Sequence, residues 1–112
     1  MEKSVKEVFA LVTSGDMSAD ITSQGFNVGG FPYVAIQGAF TTSDGNGTFS
    51  VEASLDNSTW TPLTLTASPT AAGADGNFLI ELAPLCAQAV RLKYARSSGS
   101  GTLNANIFCK GA

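Results

Sequence analysis

Residues 90–110 read VRLKYARSSGSGTLNANIFCK, two alternating runs about a polar tip. Val90, Leu92 and Tyr94 are apolar at every second position of the first run, and Leu103, Ala105, Ile107 and Cys109 repeat the pattern in the second. Period two is the repeat of a β-strand with one buried face, because successive side chains leave opposite sides of the pleat. Arg91 and Lys93 fall between the apolar residues of the first run; Asn104, Asn106, Phe108 and Lys110 take that place in the second. Read as a hairpin, the runs pair with Tyr94 opposite Leu103 and Leu92 opposite Ala105, since directly opposed residues share a face. The tip, Ser97 to Ser100, then has even length unless a bulge shifts the count.

The same period recurs back along the chain. Tyr33 to Thr41 sets Val34, Ile36 and Phe40 on one side and Tyr33, Ala35, Gln37 and Ala39 on the other, the mark of a central strand. Ser43 to Gly47 holds residues that tolerate positive φ and reads as a hairpin turn into Thr48 to Leu55, with Phe49, Val51, Ala53 and Leu55 inward. Trp60 to Leu65 follows, then an exposed loop over Ala67 to Gly76, then Asn77 to Leu82 with Phe78, Ile80 and Leu82 inward. Nearer the start, Met17 to Thr22 puts Met17, Ala19 and Ile21 on one face. Lys6 to Thr13 alternates imperfectly; strand is the preferred reading, with a short amphipathic helix over Val5 to Leu11 as the competitor. These eight strands without a convincing helix imply an all-β, two-sheet antiparallel β-sandwich, jelly-roll-like.

A chain of 112 residues suits one domain: residues 1–30 supply N-terminal strands or an arm, and 31–112 the sandwich core. Charged residues are 13% of the chain, against roughly 25% in an average soluble protein. A net charge of −3 with six scattered Lys and Arg cannot supply the phosphate neutralisation on which nucleic-acid binding depends. The mixed charges of Glu2 to Glu7 fit neither a signal peptide nor a membrane span, so the expectation is a chain made in a cytoplasm with no membrane partner. Cys86 and Cys109 lie far apart in apolar contexts and read as buried thiols rather than a disulfide or a metal knuckle.

The sequence contains no histidine, the commonest general base and transition-metal ligand. Neither cofactor nor catalysis is expected. Asp16, Asp20, Asp44, Asp56 and Asp75 all sit near turns, where Asp bonds local backbone; a calcium loop is the alternative, but its ligand spacing and closing Glu are missing. Glu52 and Glu81 are on the solvent side of their strands, with nothing to bring them together as a hydrolytic pair. Trp60, with Tyr33, is a candidate sugar-stacking platform, set against core filling at a strand entry. By the hairpin register, Arg91, Lys93, Phe108 and Lys110 share an outward surface. That surface is a solvated face or a docking face, on which Phe108, Leu79 and backbone pairing at a free edge would supply affinity.

Residues 51–63, VEASLDNSTWTPL, carry the phrase S-x-D-x-x-x-W-x-x-L and resemble a strand-turn-strand of discoidin-like and related small sandwiches. Together with Val90 to Tyr94 and Gly99 to Ala105, the arrangement resembles small virion structural proteins of tailed bacteriophages, across roughly Tyr33 to Lys110. The resemblance implies a capsid decoration (cement) protein on the capsid surface. Such a protein forms a homo-dimer or homo-trimer and bridges subunits of the major capsid protein. A tail or fibre component is the nearest variant, and a carbohydrate-binding module the rival from another class.

Overall fold

The computed structural model describes residues 6–29, 31, 33–65, 68–82 and 87–110. They form ten strands and no helix: β1 (Lys6–Asp16), β2 (Ile21–Thr22), β3 (Phe26–Asn27), β4 (Tyr33–Thr41), β5 (Asn46–Ser54), β6 (Thr61–Pro62), β7 (Thr70–Ala72), β8 (Gly76–Leu82), β9 (Ala89–Ser98) and β10 (Thr102–Lys110). One sheet has the order β1-β10-β4-β8. In the other, β9 and β5 lie side by side; β2 and β3 share the outer lane on β9, and β6 and β7 share the lane on β5. Eight lanes result, all antiparallel; the chain changes sheet from lane to lane except where β5 is followed by β6 and β7 beside it, and its first and last strands lie together. That order is jelly-roll-like. The N-terminal run is a strand, paired along β10, and its imperfect alternation is explained by two register shifts, between Ala10 and Val12 and between Val12 and Gly15.

The last two strands do not pair with each other. β9 lies in one sheet against β5, and β10 lies in the other between β1 and β4. Residues 99–101 therefore form an arch between sheets, and residues 42–45 form a second one between β4 and β5, where a hairpin was expected. Alternation fixes which side of a strand is apolar, and that side meets the same core whether its neighbour in sequence lies beside it or across from it. What selects the arch is the tip. Gly99 has φ 77°, and a Cβ there would stand 2.3 Å from the Asp44 carbonyl oxygen. With no side chain in the way, the two arches bond directly, Asp44 N–H to the Ser100 carbonyl at 3.0 Å and Ser100 N–H to Asp44 Oδ1 at 2.8 Å.

Between the sheets, Phe49 sits at the centre, with ring centroids of Phe78, Tyr94 and Phe40 at 4.5, 4.8 and 5.6 Å. Val34, Ile36, Val51, Leu92, Leu103 and Ile107 complete the fully enclosed layer, as the period-two reading requires. Gly38 faces the core because the Phe78 ring occupies its side-chain space: a Cβ on Gly38 would stand 2.3 Å from that ring. Cys109 is buried, and Cys86 is outside the described residues.

Three expectations fail at element ends. Leu55 is 77% exposed because β5 stops at Ser54, whose hydroxyl and the Asp56 carboxylate take over the local amides. Met17 is buried but Ala19 is exposed, since residues 17–20 form a turn in which Met17 N–H bonds the Gly101 carbonyl. The supposed loop before Gly76 contains β7, which pairs β5 and buries Ala71.

Candidate functional site

The five aspartates act on backbone. Asp16 and Asp56 bond their own turns, whereas Asp20, Asp44 and Asp75 accept from Arg96, Ser100 and Ser43 and so tie separate loops together. Asp56 Oδ1 accepts from Thr59 N–H at 2.8 Å, Ser58 N–H at 2.9 Å and the Ser54 hydroxyl at 2.9 Å. These donors favour the charged form and hold its pKa down to about 2. The S-x-D-x-x-x-W-x-x-L phrase is thus a turn device that ends β5. A depression of about 500 Å³ lies over the same turn, and among the described residues that line it Asp56 is the sole ionisable group.

The outer face of the β2/β3-β9-β5-β6/β7 sheet is polar and internally paired. Glu52 and Arg91 are directly opposed in register, and Arg91 Nη2 and Nε both reach Glu52 Oε1, at 2.6 and 2.7 Å. Lys93 Nζ lies 3.7 Å from Glu52 Oε2. The Arg91 guanidinium also covers the Trp60 ring at 4.4 Å, and the far edge of that ring packs on Gly25. Trp60 is therefore half-buried beneath its own neighbours, and both cations face an internal carboxylate rather than an empty surface.

The outer face of the β1-β10-β4-β8 sheet is built differently. Antiparallel register lays its side chains in cross-strand rows: Val8, Phe108, Ala35 and Glu81 in one, Ala10, Asn106, Gln37 and Leu79 in the next, and Lys110 beside Tyr33 at the end. Val8 is 64% exposed, Leu79 60% and Tyr33 43%, with Phe108 half-buried between them. Two shallow grooves of about 290 and 270 Å³ run over this surface and share Phe108 and Ala35 as lining. Lys110 Nζ stands 6.0 Å from the Tyr33 ring centroid.

The expected docking residues are consequently divided. Phe108, Lys110 and Leu79 lie on one face, together with Tyr33 of the candidate sugar platform, while Arg91 and Lys93 lie on the opposite side of the sandwich. The single surface deduced from the hairpin register does not form, because the arch turns β9 and β10 back to back. Tyr33 and Trp60, the candidate sugar platform, are separated because β4 and β6 lie in different sheets. Val8 completes the apolar face and was not foreseen; its place beside Phe108 depends on β1 pairing β10 across the whole length of the chain.

The chain matches no protein-family model, and no curated protein matches it. Its fold is similar to that of the SPBc2 prophage-derived protein YomS, with a TM-score of 0.65 and 13% identity over 99% of this chain and 97% of that one. The PBSX exported protein XepA gives a TM-score of 0.58 and 21% identity over 96% of this chain. A chain of infectious bursal disease virus, Gx strain, gives 0.57 and 9% over 98%. The alignment spans about a third of the length of these last two, 37% and 32%. At such identities the likeness establishes the fold: the chain is a two-sheet antiparallel sandwich of a kind also present in prophage-derived and viral proteins.

Proposed function

We propose that this chain is a non-enzymatic structural protein of a bacteriophage particle, and in particular a capsid decoration protein that bridges subunits of the major capsid protein. The observation that carries the reading is the outer face of the β1-β10-β4-β8 sheet. There Val8, Tyr33, Leu79 and Phe108 are offered to solvent, while the opposite face satisfies its own charges. Contiguous exposed apolar surface on a small domain marks a place of association. Fold similarity to prophage-derived and viral proteins supports a particle as the partner.

The action is mechanical. A standard interface covers on the order of 800 Å² per partner, and a face of this kind repeated over a closed shell sums many modest contacts into firm attachment. Aromatic anchors such as Phe108 and Tyr33 supply affinity at the centre, and Lys110 and Glu81 at the rim set orientation. Sugar binding through Trp60 is the weaker reading, since Arg91 already occupies a face of that ring.

Immunogold labelling of particles from an induced lysate, with antibodies raised against the purified chain, tests the proposal. Label over the heads, and saturable co-sedimentation of added protein with heads that lack it, are expected. Label confined to tails overturns decoration in favour of the tail variant, and absence of label from particles overturns the structural role.

A further inference from the structure

The four-stranded sheet has two edges, and they are unlike. β1 is broken by two register shifts and by Ser14 at φ 50°, features that spoil an edge as a template for another strand. β8 (Gly76–Leu82) is seven residues in unbroken register with β4, with no proline and no lysine. Among the described residues, no hydrogen bond outside the β4 ladder engages residues 76–82. The edge strands of the second sheet run two or three residues each.

We infer that β8 pairs antiparallel with β8 of a second copy of this chain, about a two-fold axis through Leu79. The residue pattern of the strand is self-complementary about that point. Leu79 meets the second copy's Leu79, Phe78 meets Ile80, Asn77 meets Glu81 and Gly76 meets Leu82, so no pair sets like charges together and none sets a charge against an apolar side chain. Leu79 is 60% exposed in the single chain, and Glu81 has no hydrogen-bond or ion-pair partner among the described residues. Phe78 and Ile80 face inward, so the two cores become continuous. A two-fold interface uses the same patch twice and closes at two chains. Because opposed residues of an antiparallel pair share a face, the eight-stranded sheet carries both copies of the Val8–Tyr33–Phe108 surface on one side. The inference deepens the proposed docking role without resting on it.

Light scattering on the purified protein, with no particles present, reads this directly. The chain is expected at twice its single-chain mass, and Leu79→Lys, which sets two ammonium groups together on the axis, is expected to halve the mass while the β-sheet circular-dichroism spectrum is preserved. Asn77→Lys, opposite the second copy's Glu81, shifts dissociation to higher concentration-resistance, so that dimers persist at lower protein concentration, and Asn77→Glu makes them dissociate at higher concentration; neither side chain is in the core. Under mild oxidation Leu79→Cys forms a linked dimer and Val8→Cys does not, because opposed strand residues stand about 4.5–5.5 Å apart at Cα, within disulfide reach. A single-chain mass at every concentration, a trimer, or a dimer indifferent to both the Leu79 and Asn77 changes overturns the inference. So does β8 pairing that arises only when particles are added. Failure here leaves particle labelling unaffected, so the two readings fall separately.

Discussion

The outer faces of the two sheets start from the same alternation and end with opposite surfaces. On one, Glu52 sits between Arg91 and Lys93, and Trp60 lies under the guanidinium, so polar groups and aromatic ring alike have partners within the chain. On the other, Val8, Leu79 and Tyr33 stand in solvent with Phe108 half-covered among them. A face that satisfies itself has little to gain from a partner, whereas a face of unpaired apolar side chains gains roughly 25 cal/mol for each Å² it buries. That contrast is why the proposed docking role is assigned to the β1-β10-β4-β8 side of the sandwich.

The largest effect should come from the layer that both faces share. Phe49→Ala removes the ring at the centre of the aromatic cluster and is expected to cost about 3–5 kcal/mol of stability in urea unfolding, lowering both sheets together. Phe108→Ala separates the faces: stability falls by no more than about 1 kcal/mol, while particle affinity in sedimentation falls by about 1–2 kcal/mol, roughly 5- to 30-fold. Glu52→Gln gives the reverse pattern. It weakens the Arg91 and Lys93 pairs at a cost of about 1 kcal/mol in the same unfolding assay, with particle affinity unchanged.

Two pH responses sharpen the picture at smaller amplitude. The Tyr94 hydroxyl is buried with no hydrogen-bond partner among the described residues, and burial raises its pKa above 10.0. A raised folded pKa gives stability that is complete below pH 10.0 and lost as pH climbs through the folded value. Tyr94→Phe should abolish that alkaline loss and, by removing an unsatisfied hydroxyl, add about 1 kcal/mol at neutral pH. Asp56 has the opposite sign. Its folded pKa of about 2 lies below the ordinary 3.8, so its contribution is present above pH 3.8 and disappears as pH falls toward 2. Asp56→Asn should flatten the acid limb of a melting-temperature profile.

Alternation made the inward residues of β4, β8, β9 and β10 legible, and with them the sandwich. It could not say which strands are neighbours, because Leu92 and Ile107 are equally buried whether their strands lie side by side or face to face. The deciding contacts, Gly99 against Asp44 and Ser100 against Asp44, join residues more than fifty positions apart. Phe108, Lys110, Leu79 and Tyr33 were recognised as outward residues for that reason, while Arg91 and Lys93 were grouped with them by a hairpin that does not form. Very short strands also escaped: β3 and β7 are two and three residues long, too few for a period to register. The cover on Trp60 was not legible either, since nothing in residues 51–63 reveals that a guanidinium from β9 lies on the ring.

Hydroxyl-radical labelling of the chain, free and bound to particles, tests the division between the faces most directly. The account predicts that Val8, Tyr33 and Phe108 lose reactivity on binding while Trp60 and Leu55 keep theirs. Protection of Trp60 and Leu55, with Tyr33 and Phe108 still labelled as in the free chain, would contradict it.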